Sequence, residues 1–175
     1  MLKKILIGLG IVLIALGVLI ATRPDTFHVE RTTTVKAPPE KVFALIQDFH
    51  NWANWSPWEK LDPQMKKVFS GAPSGVGASY AWEGKNDVGK GNMTITATSA
   101  PGSVKLKLEF LEPFKANNDV TFTIVAKDAG TQVTWAMDGR NNFFSKAFSL
   151  VADMDKLVGK DFEEGLANLK ALAEK

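Results

Sequence analysis

Residues 104–110 read VKLKLEF, and this strict alternation of apolar and polar side chains decides the fold class of the protein. In an extended strand successive side chains point to opposite faces, so the even positions form one apolar face and the charged residues lie opposite. The same period recurs at Val120–Ala126 and Val133–Met137, with the turn Asp128–Gly130 between them. Strands with one polar face are typical of antiparallel sheets that are covered on the other face only.

Further strands are predicted on both sides of this stretch. Ser79–Glu83 and Met93–Ala97 show the same period across the loop at residues 84–91, and Phe27–Lys36 is rich in β-branched residues. Pro38 and Pro39 stop that first strand, and apolar residues at helical spacing predict a helix over Pro39–Asp48. A tryptophan-rich stretch follows the helix.

The last segment, from Phe143 to about Ala173, predicts one long helix that covers the sheet. An apolar stripe runs along it with Lys and Glu opposite, at Ala147, Leu150, Val151, Met154, Leu157, Val158, Phe162, Leu166, Leu169 and Leu172. Gly159 and Gly165 interrupt the stripe, and each costs about 1 kcal/mol against alanine unless packing requires it. A long helix across a curved sheet leaves space between the two, and that space is the candidate site.

Residues 5–21 read ILIGLGIVLIALGVLIA and carry no charge. A helix crosses the hydrocarbon layer with about 20 apolar residues and at least about 17, so this stretch is long enough to span. We predict an uncleaved signal anchor over residues 1–22 and a folded domain over residues 23–175. A cleaved signal peptide and a buried core helix are the alternatives.

The basic residues beside the span predict its orientation. Lys3 and Lys4 precede it, whereas Arg23 follows it and is itself followed by Asp25. Under the positive-inside rule the N-terminus stays in the cytoplasm. The prediction is a single-pass protein of the cytoplasmic membrane with its domain outside, in the periplasm if the cell is Gram-negative.

Composition excludes several classes of function. The chain has no cysteine, which removes disulfides, thiolate metal sites and a cysteine nucleophile. The formal net charge is +2 with 21 basic and 19 acidic residues, and Lys3 and Lys4 beside the span account for the excess. This balance predicts no nucleic-acid partner.

The motifs along the domain resemble those of the START-like, or SRPBCC, superfamily, in particular its polyketide cyclase/dehydrase-like branch. The likeness is carried by Val35-Lys-Ala-Pro-Pro-Glu-Lys-Val-Phe43, by Asp48 with the tryptophans just after it, by Gly75-Val-Gly77, by Gly89-Lys-Gly91-Asn-Met-Thr, by Thr131-Gln-Val-Thr-Trp135 with Asp138-Gly139, and by Gly165-Leu-Ala-Asn-Leu-Lys170. The resemblance implies an α+β helix-grip fold, a curved seven-stranded antiparallel sheet wrapped around a long C-terminal helix. Here one N-terminal transmembrane helix precedes it.

The resemblance also implies a cavity for a lipid, isoprenoid or polyketide-like molecule beneath the long helix. The residues expected to line it are large and apolar or aromatic: Trp52, Trp55, Trp58, Tyr80, Trp82, Met93, Phe110, Phe122, Trp135, Met137, Met154, Leu157 and Val158. The same residues would line an ordinary packed core, because pockets and cores differ only in volume. For Trp52, Trp55 and Trp58 three readings stay open: a cavity mouth, a cap on the core, and contact with the membrane interface.

Three function classes follow. The first is a membrane-anchored binding protein without catalysis, whose partners are an apolar small molecule or lipid and the bilayer around residues 5–21. The second is a polyketide cyclase or dehydratase that would use Asp138, Arg140 or Tyr80, of which one must be buried with a shifted pKa. The third is a tethered interaction module with a filled core.

The sequence predicts neither a metal nor another cofactor. His28 and His50 are the only histidines, and neither has a partner at ligand spacing. Asp138 and Arg140 are expected just after the last strand, and Glu83 and Asp87 beside a loop, where such side chains usually serve local hydrogen bonding. The glycine-rich stretches lack the phosphate-loop pattern and read as turns.

Overall fold

The structure, a computed structural model, describes residues 1–85 and 88–175. Asp87 therefore lies outside the described residues. The helices are α1 Leu2–Ala21, α2 Pro39–Gln47, a 3-10 helix Phe49–Asn54, α3 Trp58–Leu61, α4 Phe143–Phe148 and α5 Met154–Ala173. The strands are β1 Thr26–Val35, β2 Lys66–Gly71, β3 Ala78–Glu83, β4 Lys90–Ser99, β5 Ser103–Glu112, β6 Ala116–Lys127 and β7 Gly130–Arg140.

These strands form one seven-stranded antiparallel sheet in the order β1-β7-β6-β5-β4-β3-β2, which confirms the predicted helix-grip architecture. The alternation in residues 104–110 has the expected consequence. Val104 and Leu106 are buried, while Lys105 and Lys107 are exposed on the opposite face. One face of the sheet therefore supplies the core.

The sequence located six of the seven strands and missed β2. This strand reads KKVFSG, lies at the sheet edge, and leaves Val68 and Phe69 exposed. A strand that buries little on either face is under no pressure to alternate. Its sequence therefore carries no period-2 pattern to detect.

The prediction of one continuous helix over residues 143–173 was wrong. The segment forms α4 and α5, and residues 149–153 between them are not helical. The Asp153 carboxylate accepts hydrogen bonds from the backbone N–H groups of Asp155 and Lys156 at 3.1 and 3.4 Å, so it caps the start of a new helix. Val151, a member of the predicted stripe, is 85% exposed as a result.

Both interruptions of the stripe in α5 are explained by packing. The Arg31 guanidinium of β1 lies against Gly159 and forms ion pairs with Asp155 and Glu163 on either side of it. A Cβ atom at Gly165 would lie 2.7 Å from Cζ3 of Trp135. Side chains at these two positions would hold α5 away from the sheet. The close packing that glycine permits therefore outweighs the helix propensity that glycine costs.

Helix α1 is the one helix among the described residues that is long and apolar enough to cross a bilayer. Length and composition alone support that statement, and a signal sequence meets the same criteria. Nearly all of α1 is exposed, and Ile20 near its end is buried. It is therefore not a buried core helix of the domain.

Candidate functional site

A cavity of about 690 Å³ lies between the concave face of the sheet and α5. Cavities that hold small ligands usually measure about 300–1,000 Å³, so this one could enclose a molecule of lipid or polyketide size. Strands β3 to β7 form its floor, α5 its roof, and α3 and α4 parts of its sides. Alternate residues of neighbouring strands reach it because the sheet turns one face inward.

Ten of the residues that the sequence placed at the cavity lie in its wall. From the stretch before β2 and from β3 to β5 they are Trp52, Trp58, Tyr80, Trp82, Met93 and Phe110, and from β7 and α5 they are Trp135, Met137, Met154 and Val158. The two residues from α5, Met154 and Val158, recur together with Phe162 at the spacing of one helical face. The wall is thus mainly aromatic and aliphatic.

Three of the predicted lining residues lie elsewhere. Trp55 and Phe122 are completely buried and pack edge to face at 6.1 Å in the core rather than in the cavity wall. Leu157 is 52% exposed on the outer side of α5. Leu157 and Val158 are neighbours about 100° apart on the helix, and of the two Val158 reaches the cavity wall.

The tryptophans after α2 belong to the core and the cavity wall. Trp52 and Trp55 are buried, and their indole N–H groups donate to the backbone carbonyl oxygens of Ile46 and Leu45 at 2.9 and 3.3 Å. Trp58 lies in the wall, 5.7 Å from the ring of Trp135. The membrane-interface reading of Trp52 and Trp55 was therefore wrong, because a buried indole cannot reach lipid.

Trp135 lies at the centre of the aromatic cluster. Its ring stacks on Phe162 of α5 with 4.2 Å between centroids and 9° between planes, and it also meets Phe122 at 4.9 Å. Its buried Nε1 has no hydrogen-bond partner among the described residues. Trp135 therefore joins sheet to helix by ring packing alone.

A polar group interrupts the apolar wall beside β3. The Tyr80 hydroxyl donates to Oε1 of Glu59 at 2.7 Å, and the Lys67 ammonium pairs with Oε2 of the same carboxylate. The Glu59 side chain is only 8% exposed, and Ser56 next to it is buried as well. Glu59, Ser56 and Tyr80 all reach the cavity wall, so this side of the cavity can form hydrogen bonds with a ligand.

Burial of Tyr80, and then its hydrogen bond to Glu59, raise the pKa of its phenol above the ordinary value of 10.0. The folded state therefore favours the neutral phenol, and stability is expected to fall as pH rises above about 10, where the unfolded chain ionises first. Tyr80 is the only tyrosine in the chain. We expect no tyrosinate absorbance from the folded protein at about pH 11 and its appearance on unfolding.

This prediction is checked by ultraviolet titration of the full chain in detergent with and without guanidinium. The Tyr80→Phe variant is the control, since it should give no tyrosinate signal in either state. Ionisation of the folded protein near pH 10 would show that Tyr80 is hydrated and would contradict the burial.

The other two catalytic candidates are placed differently from the prediction. Asp138 and Arg140 belong to β7 itself and do not follow it. Asp138 is exposed and lies outside the cavity wall, where its Oδ1 accepts a hydrogen bond from Nδ1 of His28 at 2.8 Å. Arg140 is exposed at the cavity rim.

The rim carries further polar side chains. Lys115, Asn141, Asn142 and Ser145 lie there with Arg140, while Asn118 is buried in the wall. Asp161 of α5 also reaches the cavity, and burial together with the nearby Glu164 raises the pKa of its carboxyl. The cavity thus combines an apolar interior with polar groups at its rim and beside β3.

Neither histidine belongs to a metal-binding cluster. Among residues 1–85 and 88–175 no group of three or more His, Asp and Glu side chains is placed to hold a metal ion. His28 is exposed beside Asp138, and His50 is exposed beside Asp48 at 2.7 Å.

Several wall residues were not among the predicted ones. Leu106, Leu108 and Phe162 fall on the predicted inward faces and could have been included on that ground. Ser56 and Glu59 follow Trp55 without any periodic signal. Phe114, Phe144 and Phe148 come from a turn and a short helix whose positions depend on the folded chain.

Comparison with known proteins agrees with the fold described above. Residues 26–174 match the family model described as polyketide cyclase / dehydrase and lipid transport. The chain therefore belongs to this family, within the START-like superfamily. Among curated proteins none matches the sequence.

Solved structures show the same fold at low sequence identity. A protein from Chromobacterium violaceum has 17% identity and a TM-score of 0.60, with 87% of this chain and 99% of that chain covered. Ginseng major latex-like protein 151 from Panax ginseng has 16% identity and a TM-score of 0.62, covering 87% and 100%. The Aha1 dimer from Colwellia psychrerythraea has 14% identity and a TM-score of 0.60, covering 85% and 96%.

Proposed function

We propose that this protein is a membrane-anchored binding protein that holds an apolar or amphipathic small molecule between its sheet and α5, without catalysis. Residues 1–22 would be the anchor and residues 23–175 the binding domain. The observation that carries the proposal is the 690 Å³ cavity with its mainly aromatic and aliphatic wall. A tethered module with a filled core would lack such a volume.

The polar groups of the wall define the ligand class further. A molecule with an apolar body would pack against rings such as Trp82 and Trp135, and a single polar end would meet the rim at Lys115 and Arg140. A lipid or isoprenoid-like compound has this arrangement. The Glu59 carboxylate is paired with Tyr80 and Lys67 through one oxygen each, so it keeps acceptor capacity for a hydrogen bond from a ligand hydroxyl.

The first experiment is native mass spectrometry of the full chain, purified in mild detergent from membranes of its own host, followed by organic extraction. We expect one apolar compound per protein. The same purification of an unrelated single-pass protein controls for lipid that adheres to the span. An empty cavity in a well-folded protein, with no uptake of added dansyl-undecanoic acid, would contradict the proposal.

A cyclase or dehydratase is the second candidate, and one observation favours it. Tyr80 is buried in the cavity wall and keeps a neutral phenol, because its pKa is raised. This phenol donates to Glu59, and it could donate to a substrate carbonyl by exchanging that partner. The extracted compound would then lose one water on incubation with the wild-type protein and remain intact with Tyr80→Phe. If the extracted compound stays unchanged with both proteins, the result supports binding without catalysis.

A further inference from the structure

The register of the strands brings the membrane anchor and the cavity rim to the same end of the sheet. Thr26 at the start of β1 pairs with Arg140 at the end of β7, and Phe110 of β5 pairs with Ala116 of β6 beside it. The four residues that join α1 to β1 therefore arrive where the β5–β6 turn and α4 lie. Four residues span at most about 14 Å, so this end of the sheet stays close to the end of α1.

The junction between α1 and the domain is fixed by side chains. The Arg23 guanidinium donates to the backbone oxygen of Ser149 at 2.8 Å, just after α4. Lys146 of α4 pairs with Asp25, and α1 packs directly against α4 near the buried Ile20. Helix α4 is thus held against the C-terminal end of the apolar span.

Large apolar side chains are exposed around the cavity rim at this same end. Phe114 of the β5–β6 turn is 73% exposed and Phe144 of α4 is 74% exposed, and both line the cavity opening. Phe143 and Phe148 of α4 are at least half exposed as well. Exposed apolar patches of this kind mark surfaces that meet a membrane or a partner.

We propose that the cavity opens toward the bilayer surface, with Phe114 and the phenylalanines of α4 in the interfacial layer, so that the ligand enters and leaves through the membrane. This inference rests on the proposed function and adds the route of the ligand. The anchor selects the bilayer as the occupant of the patch, because it holds the patch next to lipid. Lys115 and Arg140 at the rim would meet lipid phosphates.

The absence of cysteine permits a direct test of depth. Bimane is attached to the full chain at a single cysteine in each of three variants: Phe114→Cys, Phe144→Cys and the control Asp128→Cys. Each labelled protein is reconstituted into phosphatidylethanolamine/phosphatidylglycerol vesicles that carry nitroxide on the acyl chains. Asp128 lies in the β6–β7 turn at the opposite end of the sheet, about 33 Å away along β7. We expect at least about twofold stronger quenching at positions 114 and 144 than at 128, since quenching needs close approach to the acyl chains.

Each other outcome overturns the inference in a recognisable way. Equal quenching at all three positions would mean that the opening does not face the bilayer. Labels at 114 and 144 that are shielded from iodide but not quenched by nitroxide lipid would indicate coverage by a second copy or another protein. If the chain fails to float with the vesicles, residues 1–22 do not anchor it in the bilayer.

The test separates this inference from the proposed function, because quenching requires no ligand. Occupancy by the co-purified compound is measured in parallel on the unlabelled wild-type chain, and far-ultraviolet circular dichroism shows that the labelled variants fold. Normal occupancy with unquenched labels at 114 and 144 refutes the orientation alone. Quenched labels in a protein that takes up no apolar compound refute the binding function alone.

Discussion

The substitution Val158→Trp is expected to lower occupancy of the cavity at least about tenfold, equal to roughly 1.4 kcal/mol of binding free energy. Val158 faces the cavity from α5, and an indole there would occupy the space that the ligand needs. The cavity gives the new ring room, so the fold should tolerate it better than a packed core would. Native mass spectrometry of the co-purified compound, or of added dansyl-undecanoic acid, measures the occupancy.

The neighbouring residue provides a matched control. Leu157→Trp introduces the same side chain on the same helix, but Leu157 is half exposed on the outer side. It should leave occupancy unchanged. If the two variants behave alike, the ligand does not lie between α5 and the sheet, and the cavity is not the binding site.

The substitution Trp135→Ala is expected to reduce the free energy of unfolding by about 3–5 kcal/mol, the range for large aromatic truncations in cores. Trp135 is 2% exposed and joins the sheet to α5 through its stack on Phe162. Removal of the indole would extend the existing cavity into the core. Guanidinium denaturation of the full chain in mild detergent, followed by far-ultraviolet circular dichroism, gives the change.

Trp135→Phe is the informative companion. It keeps a ring against Phe162 and removes the Nε1 donor that has no partner among the described residues. An unsatisfied buried donor costs about 1–3 kcal/mol, which offsets part of the lost packing. We expect a loss below about 1.5 kcal/mol; an alanine variant as stable as the phenylalanine variant would show that the ring stack contributes little.

The sequence predicted the sheet because burial of one face imposes a period of two, which residues 104–110 display in full. Strand β2 at the sheet edge was not predicted for the same reason, since it buries too little surface for its apolar and polar side chains to alternate. The break between α4 and α5 was missed because apolar spacing continues through residues 149–153. Asp153 acts as an N-cap only where the chain actually begins a new helix.

The cavity itself was only partly predictable. Helical spacing allowed both Leu157 and Val158, and strand alternation allowed both Phe122 and Trp135, yet one member of each pair faces the cavity. No sequence pattern indicated that Glu59 belongs to the site, because its partners Tyr80 and Lys67 come from other elements. Contacts between distant segments leave no local period.

By itself the sequence determined the local features: which segments extend, which face of each is apolar, and that residues 5–21 can span a bilayer. These follow from side-chain chemistry within a few residues. Only the tertiary structure decided that the space under α5 stays open, and that the exposed phenylalanines at its rim lie beside α1. Both depend on strand register and on how closely α5 approaches the sheet. Side chains that lie far apart in the sequence determine these two features jointly.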